Sequence, residues 1–434
     1  MLKINIIGAG LAGSECALYL ANHGYKVHLF DIKTKAKTPA HHSDDYAEIV
    51  CSNSFKSDDE NTASGVFKRE LTQLGCELLK VAYSHSVPAG QALAVDRDAF
   101  SAEITNKLKT HENITLHTEN VNTFEKDAIT VVATGPLTTP EMCEALKQKI
   151  GEDFFYFYDA AAPILSAESI DMNKAFFASR YDKGDADYLN CAMNKDEYLN
   201  FYNELINAKT AELHEFEKNN IFESCMPIEI MAKRGVDGIR FGPLKPVGIK
   251  NPHKDERPYA VVQLRKENNE ATMYNMVGFQ TNLTFPEQKR VFRLIPGLEN
   301  AEFLRFGVMH TNNFVNFPKC LDQYSRLKTD SNIFIAGQLS GVEGYVESIA
   351  SGLYCAINVI KMLENKELIS FSADTIIGGL YNYLVNANVS NFQPINANFG
   401  ILNPIEERDK KLRYVKYKLR SLEEIAKMVE KINN

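Results

Sequence analysis

Residues 4 to 31, INIIGAGLAGSECALYLANHGYKVHLFD, restrict the fold of this chain more than any other stretch. Ile4, Ile6 and Ile7 form a short β-branched run, Gly8-Ala9-Gly10 turns sharply, Cys16 to Asn22 has helical composition, and Val27 to Phe30 is apolar up to Asp31. The order is strand, turn, helix, strand. Gly8 serves the tight turn, Gly10 lets backbone approach a pyrophosphate, and Gly13 lets the helix pack on the strand. The helix start offers unpaired N–H groups to phosphate. Asp31, eighteen residues past Gly13, stands where a carboxylate accepts ribose hydroxyls. A dinucleotide is the expected ligand, since a merely structural glycine turn needs neither the helix nor the distal acid.

Two later strands end in the same way. Ala128 to Val132 runs into Ala133-Thr134-Gly135, and Asn332 to Ile335 runs into Ala336-Gly337-Gln338, followed by Gly344-Tyr345 and a helix. Ligands of open α/β sheets lie beyond the carboxyl ends of the strands, so three such endings suit a cofactor touched along its length. FAD fits this better than NAD, and no second GxGxxG marks a separate nicotinamide domain. Gly8, Ala9, Gly10, Gly13, Asp31, Ala133, Thr134, Gly135, Gly337, Gln338, Gly344 and Tyr345 are the expected cofactor-binding residues.

The expected fold is α/β, a discontinuous Rossmann-type FAD-binding domain with an inserted α+β domain. Residues 1–180 form its first part, 181–310 the insert, 311–405 its second part, and 406–434 a basic amphipathic C-terminal helix. In that tail seven of the thirteen residues from Arg408 to Arg420 are basic, with Leu412, Val415, Leu419, Leu422 and Ile425 as its apolar stripe. A solvated face and direct RNA contact through Lys411 and Arg413 both remain open readings. Asp96 is the expected N-cap of a helix around Phe100 to Leu108, and Gly65 to Tyr83 carries helical spacing.

The net charge of −8 argues against a general nucleic-acid binder, and DNA is not an expected partner; no apolar run is read as a membrane span or export signal. The expected location is the cytoplasm. The oligomeric state is not legible. Eight cysteines contain no CxxC, so no metal site is expected, and most are read as reduced, buried thiols. Cys51 follows a polar loop with His41 and His42, and Cys225 opens a glycine- and proline-rich segment that neither a helix nor a strand pattern explains. That segment carries Lys233, Arg234, Arg240 and Lys245. From Met226 to His310 thirteen Lys and Arg face nine Asp and Glu, a local excess of cations that suits a polyanion.

The segments TPAHHSDDYAEIVCSNS, VPAGQALAVDR, CMPIEIMAKRG, FGPLKPVG, LIPGLENAEFLRFGVMH and AGQLSGVEGYVESIASGL, in this order, resemble the TrmFO family of folate- and FAD-dependent RNA (uracil-5-)-methyltransferases. The resemblance runs from about residue 3 to residue 400. It implies FAD reduced by NADPH or NADH, 5,10-methylenetetrahydrofolate as one-carbon donor, and a uridine of tRNA or 23S rRNA as substrate. It also implies two essential thiols at Cys51 and Cys225. Uracil C5 is a poor nucleophile until a thiolate adds at C6, and its proton must then leave to a base. Cys51 is read as nucleophile and Cys225 as base, with swapped roles open. His310 and His42 are the candidates for stacking on the pterin. Thr311 stands where family members usually carry arginine, which leaves the RNA target open, with tRNA the family default. The competing readings are a GidA-like flavoprotein acting on the tRNA wobble uridine, an FAD oxidoreductase of a small metabolite, and a non-catalytic flavoprotein platform.

Overall fold

The computed structural model describes residues 2–33, 35–37, 41–151, 155–182, 185–211, 226–254 and 256–433. Strand Lys3–Ile7 sits inside a six-stranded sheet between Ala128–Val132 and Val27–Asp31. Asp330–Ile335 lies outside Ala128–Val132 and Ile114–Thr118 outside Val27–Asp31, all parallel, with the short Arg326–Leu327 antiparallel at one edge. The three strands with glycine endings are therefore adjacent, and their carboxyl ends share one edge. Continuous burial of Ala128–Val132 fits a strand covered on both faces.

Helix Leu11–Asn22 covers one side of this sheet and packs on Tyr345–Leu363. The approach is close because Gly352 has no Cβ: one built there would stand 2.1 Å from the Ala12 carbonyl oxygen. Tyr345–Leu363 is long and apolar enough to cross a bilayer, a run that the sequence reading passes over. Residues Val346 to Lys361 of it are buried inside the fold.

The spacing from Gly65 to Tyr83 does not yield one helix. The chain forms Ala63–Gln73 and Glu77–Ser84, interrupted where Gly75 adopts φ +85°. Buried Glu15 accepts the N–H groups of Glu77 and Leu78, satisfying orphan donors of the second helix. Asp96 caps Arg97–Thr110 by accepting the Ala99 N–H.

The inserted domain is built on a six-stranded antiparallel sheet, Ala175–Phe177, Leu189–Met193, Ala260–Lys266, Met273–Met276, Ile164–Ser166 and Phe303–Arg305 in spatial order. Two of these strands precede residue 181, so a division there would cut the sheet. A ribbon of Phe155–Ala160 paired with Met309–Phe314 carries the chain out and back.

The C-terminal helix Lys410–Asn433 docks by a face that only partly overlaps the expected one. Ile425 of the expected stripe is buried together with Tyr417 and Ser421, and Val415 and Leu422 are half-buried, whereas Leu412 and Leu419 are 47% and 61% exposed. The docking surface selects this face: the Ser421 hydroxyl meets buried Glu70, and Lys418 and Arg420 pair with Glu60 and Asp374.

Candidate functional site

Beyond the carboxyl edge of the parallel sheet lies an open cleft. Gly8, Ala9, Gly10, Asp31, Ala133, Thr134, Gly135, Gly337, Gln338 and Tyr345 all line it, whereas Gly13 and Gly344 do not. Gly8 has φ +101°, and a Cβ there would stand 2.5 Å from the Ala133 carbonyl oxygen. Gly13 packs the helix on the turn, its absent Cβ leaving room for the Gly8 oxygen only 1.8 Å away. Gly10 differs: a Cβ there would meet nothing within 4 Å, so the space it keeps open belongs to the cleft. Helix Leu11–Asn22 starts with no side-chain cap, leaving its first N–H groups for an anion.

The Asp31 carboxylate accepts the Ala9 and Lys33 N–H groups, both at 2.7 Å, which fixes its position at the cleft wall. Each oxygen keeps a further lone pair for a ribose hydroxyl. A diphosphate at the helix start and a ribose at Asp31 fit this cradle, and the three strand ends give the length that FAD requires.

Below this wall Lys33 and Glu48, both nearly buried, form an ion pair at 2.8 Å. Burial alone would raise the Glu48 carboxyl, but the Lys33 ammonium and the His42 N–H hold it below the usual range. Burial first, and then Lys33, depresses the His41 imidazole to about 4. Burial and then Arg305 also lower His42. Near neutral pH both rings carry no charge. His41 lines the cleft, whereas His42 is exposed beside it. His310 lies on the strand Met309–Phe314, and its side chain is outside the described residues.

Cys51 sits at half-buried depth on a loop held from two domains. The Tyr345 hydroxyl accepts the Cys51 N–H at 2.8 Å and the Ser52 N–H at 3.2 Å. Arg265 of the inserted sheet donates to the Ser52 hydroxyl at 2.6 Å and the Asn53 amide oxygen at 2.8 Å. The Asn53 amide donates in turn to the carbonyls of Val95 and Lys266. Arg97 binds the Ile49 carbonyl and donates twice to Glu267, at 3.0 and 2.9 Å. Burial and the neighbouring Cys51 push the Tyr345 hydroxyl up, so it stays protonated. Arg97 and Arg305 both stand within electrostatic reach of Cys51, a setting in which reactive thiolates are found.

Cys225 lies outside the described residues. The other cysteines besides Cys51 and Cys225 are buried, except for half-buried Cys143. Among the RNA candidates, Lys233, Arg234 and Lys245 are exposed on the insert and Lys411 on the C-terminal helix. Arg240 is built into the insert instead: its guanidinium lies 4.0 Å over the Tyr259 ring and donates to the Tyr259 carbonyl. Arg413 is half-buried and reaches the Glu407 carbonyl at 3.4 Å. Sequence reasoning missed Arg97, Arg265, Glu267 and Arg305, because nothing in their local spacing announces a contact with a loop up to some 250 residues away.

Residues 3–367 match the family described as glucose inhibited division protein A. Over 430 residues the chain is 52% identical to the methylenetetrahydrofolate–tRNA-(uracil-5-)-methyltransferase TrmFO of Acetivibrio thermocellus, covering 99% of each. The TrmFO of Listeria monocytogenes is 51% identical over 432 residues, again 99% of each. A solved structure of GidA from Aquifex aeolicus superposes with a TM-score of 0.72 at 17% identity, covering 99% of this chain and 73% of that one. This last likeness concerns the fold.

Proposed function

Because this chain belongs to the TrmFO family, we propose that it methylates C5 of a uridine in tRNA, with methylenetetrahydrofolate as the one-carbon donor and FAD as cofactor. Relatives matched end to end favour this over the GidA-like reading, whose structural neighbour extends beyond this chain. The residues lining the cleft would hold FAD, which supplies, once reduced by NADPH or NADH, the electrons that turn a methylene into a methyl.

The observation that carries the reading is the Cys51 loop, fastened to Tyr345 at the wall of that cleft. Cys51 adds its sulfur to uracil C6, which makes C5 electron-rich. A second base, for which Cys225 stands, takes the C5 proton after the one-carbon unit is attached, and the Cys51 sulfur then leaves. Arg97 and Arg265 hold the loop so that the sulfur is presented in one orientation, the positional control that nucleophilic addition needs. The neutral ring of His41 or His42 offers a surface to a pterin.

The deciding experiment incubates the purified protein with methylenetetrahydrofolate, NADPH and unmodified tRNA. The expected product is 5-methyluridine, lost in Cys51→Ala and Cys225→Ala. RNA carrying 5-fluorouridine at the target should form a covalent adduct that Cys51→Ala removes; an adduct lost only in Cys225→Ala reverses the two roles. The departure at Thr311 favours testing 23S rRNA beside tRNA, and methylation of the rRNA alone would overturn the tRNA assignment.

A further inference from the structure

Four phenylalanines lead from the core of the insert to its surface. Phe292, fully buried, faces Phe303 at 6.5 Å between ring centroids, Phe303 faces Phe306 at 5.3 Å with planes 7° apart, and Phe306 faces Phe285 at 4.5 Å with planes 13° apart. The last ring is 50% exposed. Near-parallel rings at these spacings form an offset stack.

The stack is rigidly built. The fully buried Gln288 amide donates to the carbonyls of Leu283 and Gly307 at 2.7 and 2.8 Å, and its oxygen accepts the Gly307 N–H at 2.8 Å. One side chain thus locks the start of helix Phe285–Phe292 to the backbone beside Phe306. Gly307 permits this closeness, since a Cβ there would stand 2.5 Å from the Thr281 methyl and 2.7 Å from the Ala161 oxygen.

Charge and position give the outer ring a partner. The exposed Lys289 ammonium lies 5.5 Å from the Phe306 ring centroid and makes no ion pair among the described residues. A β-bulge in the edge strand Phe303–Arg305 re-aims its side chains. Phe303 and Phe306 thereby enter the stack while Arg305, between them in sequence, comes within electrostatic reach of Cys51. An exposed aromatic face flanked by a cation, and stacked on a ring one residue along the chain from an arginine that reaches Cys51 electrostatically, matches how single-stranded nucleotides are held: bases stack on rings and phosphates meet Lys or Arg.

We infer that the Phe285 face is a stacking site for an unpaired base of the RNA substrate, a neighbour of the target uridine, with Lys289 contacting its phosphate. The inference rests on the RNA-methylating function proposed above. The base stacks on a ring already fixed by Phe306 and Gln288, so little order is lost on the protein side.

The chain contains no tryptophan, so Phe285→Trp places a single indole in the site. In the FAD-loaded full-length protein its emission should be quenched when the RNA methylated by the wild type is added. Phe285→Ala should weaken retention of that RNA on filters about tenfold, the usual scale of one base–aromatic stack. It should leave flavin reduction by NADPH, measured without RNA, unchanged. Phe285→Tyr should bind like the wild type and Phe285→Leu like Phe285→Ala, since the ring rather than the bulk is needed.

The inference falls if the indole is unmoved while filters show RNA bound. It also falls if methylenetetrahydrofolate alone quenches the indole, or if Phe285→Ala retains RNA as tightly as the wild type. A wild-type protein that methylates no RNA would overturn the enzymatic reading itself, and that result is seen before any variant is made.

Discussion

The hydroxyl of Tyr345 accepts the backbone N–H of Cys51 at 2.8 Å across 294 positions of sequence. Tyr345 begins the long central helix and lines the cofactor cleft, so one side chain touches both the cleft and the loop that presents the thiol. Tyr345→Phe keeps the ring and leaves two N–H groups without their acceptor, a loss of about 1–3 kcal/mol. We expect single-turnover methylation to slow at least about tenfold while the flavin content stays at the wild-type level, because only the loop is released. Unchanged turnover in a flavin-replete variant would show that the clamp is dispensable.

The glycines of the first turn separate folding from cofactor binding. Gly10→Ala points a methyl into open cleft, so the melting temperature without flavin should stay near the wild-type value while the bound flavin falls sharply. Gly13→Ala drives its methyl against the Gly8 carbonyl and should lower both. Flavin absorbance and thermal melting of the two variants, compared side by side, check this; equal losses in both would refute the division of labour.

Arg97 and Glu267 form a buried pair joining the first domain to the insert, at 2.9 Å. Glu267→Ala strands the guanidinium, a change that typically costs about 3–5 kcal/mol. The urea midpoint should fall accordingly. Cys51 should also be alkylated faster by iodoacetamide in this variant, because Arg97 also holds the Ile49 carbonyl of its loop.

Glu70 links the fold's acid response to the C-terminal helix. Burial pushes its carboxyl up to about 7, against the Ser421 hydroxyl and the N–H groups of Ile376 and Ile377. Between the ordinary glutamate value and about 7 the folded chain keeps a proton that the unfolded chain has released. Stability from this group is therefore greatest in acid and is lost as pH rises through that window. Glu70→Gln should flatten the pH dependence of the unfolding free energy by roughly 3 kcal/mol across the window, at about 1.4 kcal/mol per unit. A variant whose profile parallels the wild type would show that Glu70 does not titrate there.

The first turn and its distal acid were readable because each rests on local chemistry. Positive φ at Gly8, the close packing at Gly13 and the carboxylate at the strand end all arise within thirty residues. The glycine endings at Gly135 and Gly337 were likewise visible in sequence, and parallel pairing makes them neighbours. Hydrophobic spacing was less reliable. It ran through the break at Gly75, where backbone conformation overrides periodicity, and it assigned Leu412 and Leu419 to a buried stripe. An isolated helix with apolar residues on two faces does not say which face will dock; Glu70, more than three hundred residues earlier, decides it by holding Ser421.

What the amino-acid order determined by itself was the dinucleotide turn, the discontinuous α/β plan and the family, since these lie in short-range spacing and in the order of motifs. Only the tertiary structure decided that Tyr345, Arg97 and Arg265 hold the Cys51 loop, that His41 rather than His42 lines the cleft, and that Phe285 caps a stack. Contacts between residues tens to hundreds of positions apart arise when the sheets and helices close on one another, and no local pattern encodes which partners that closure brings within hydrogen-bonding distance.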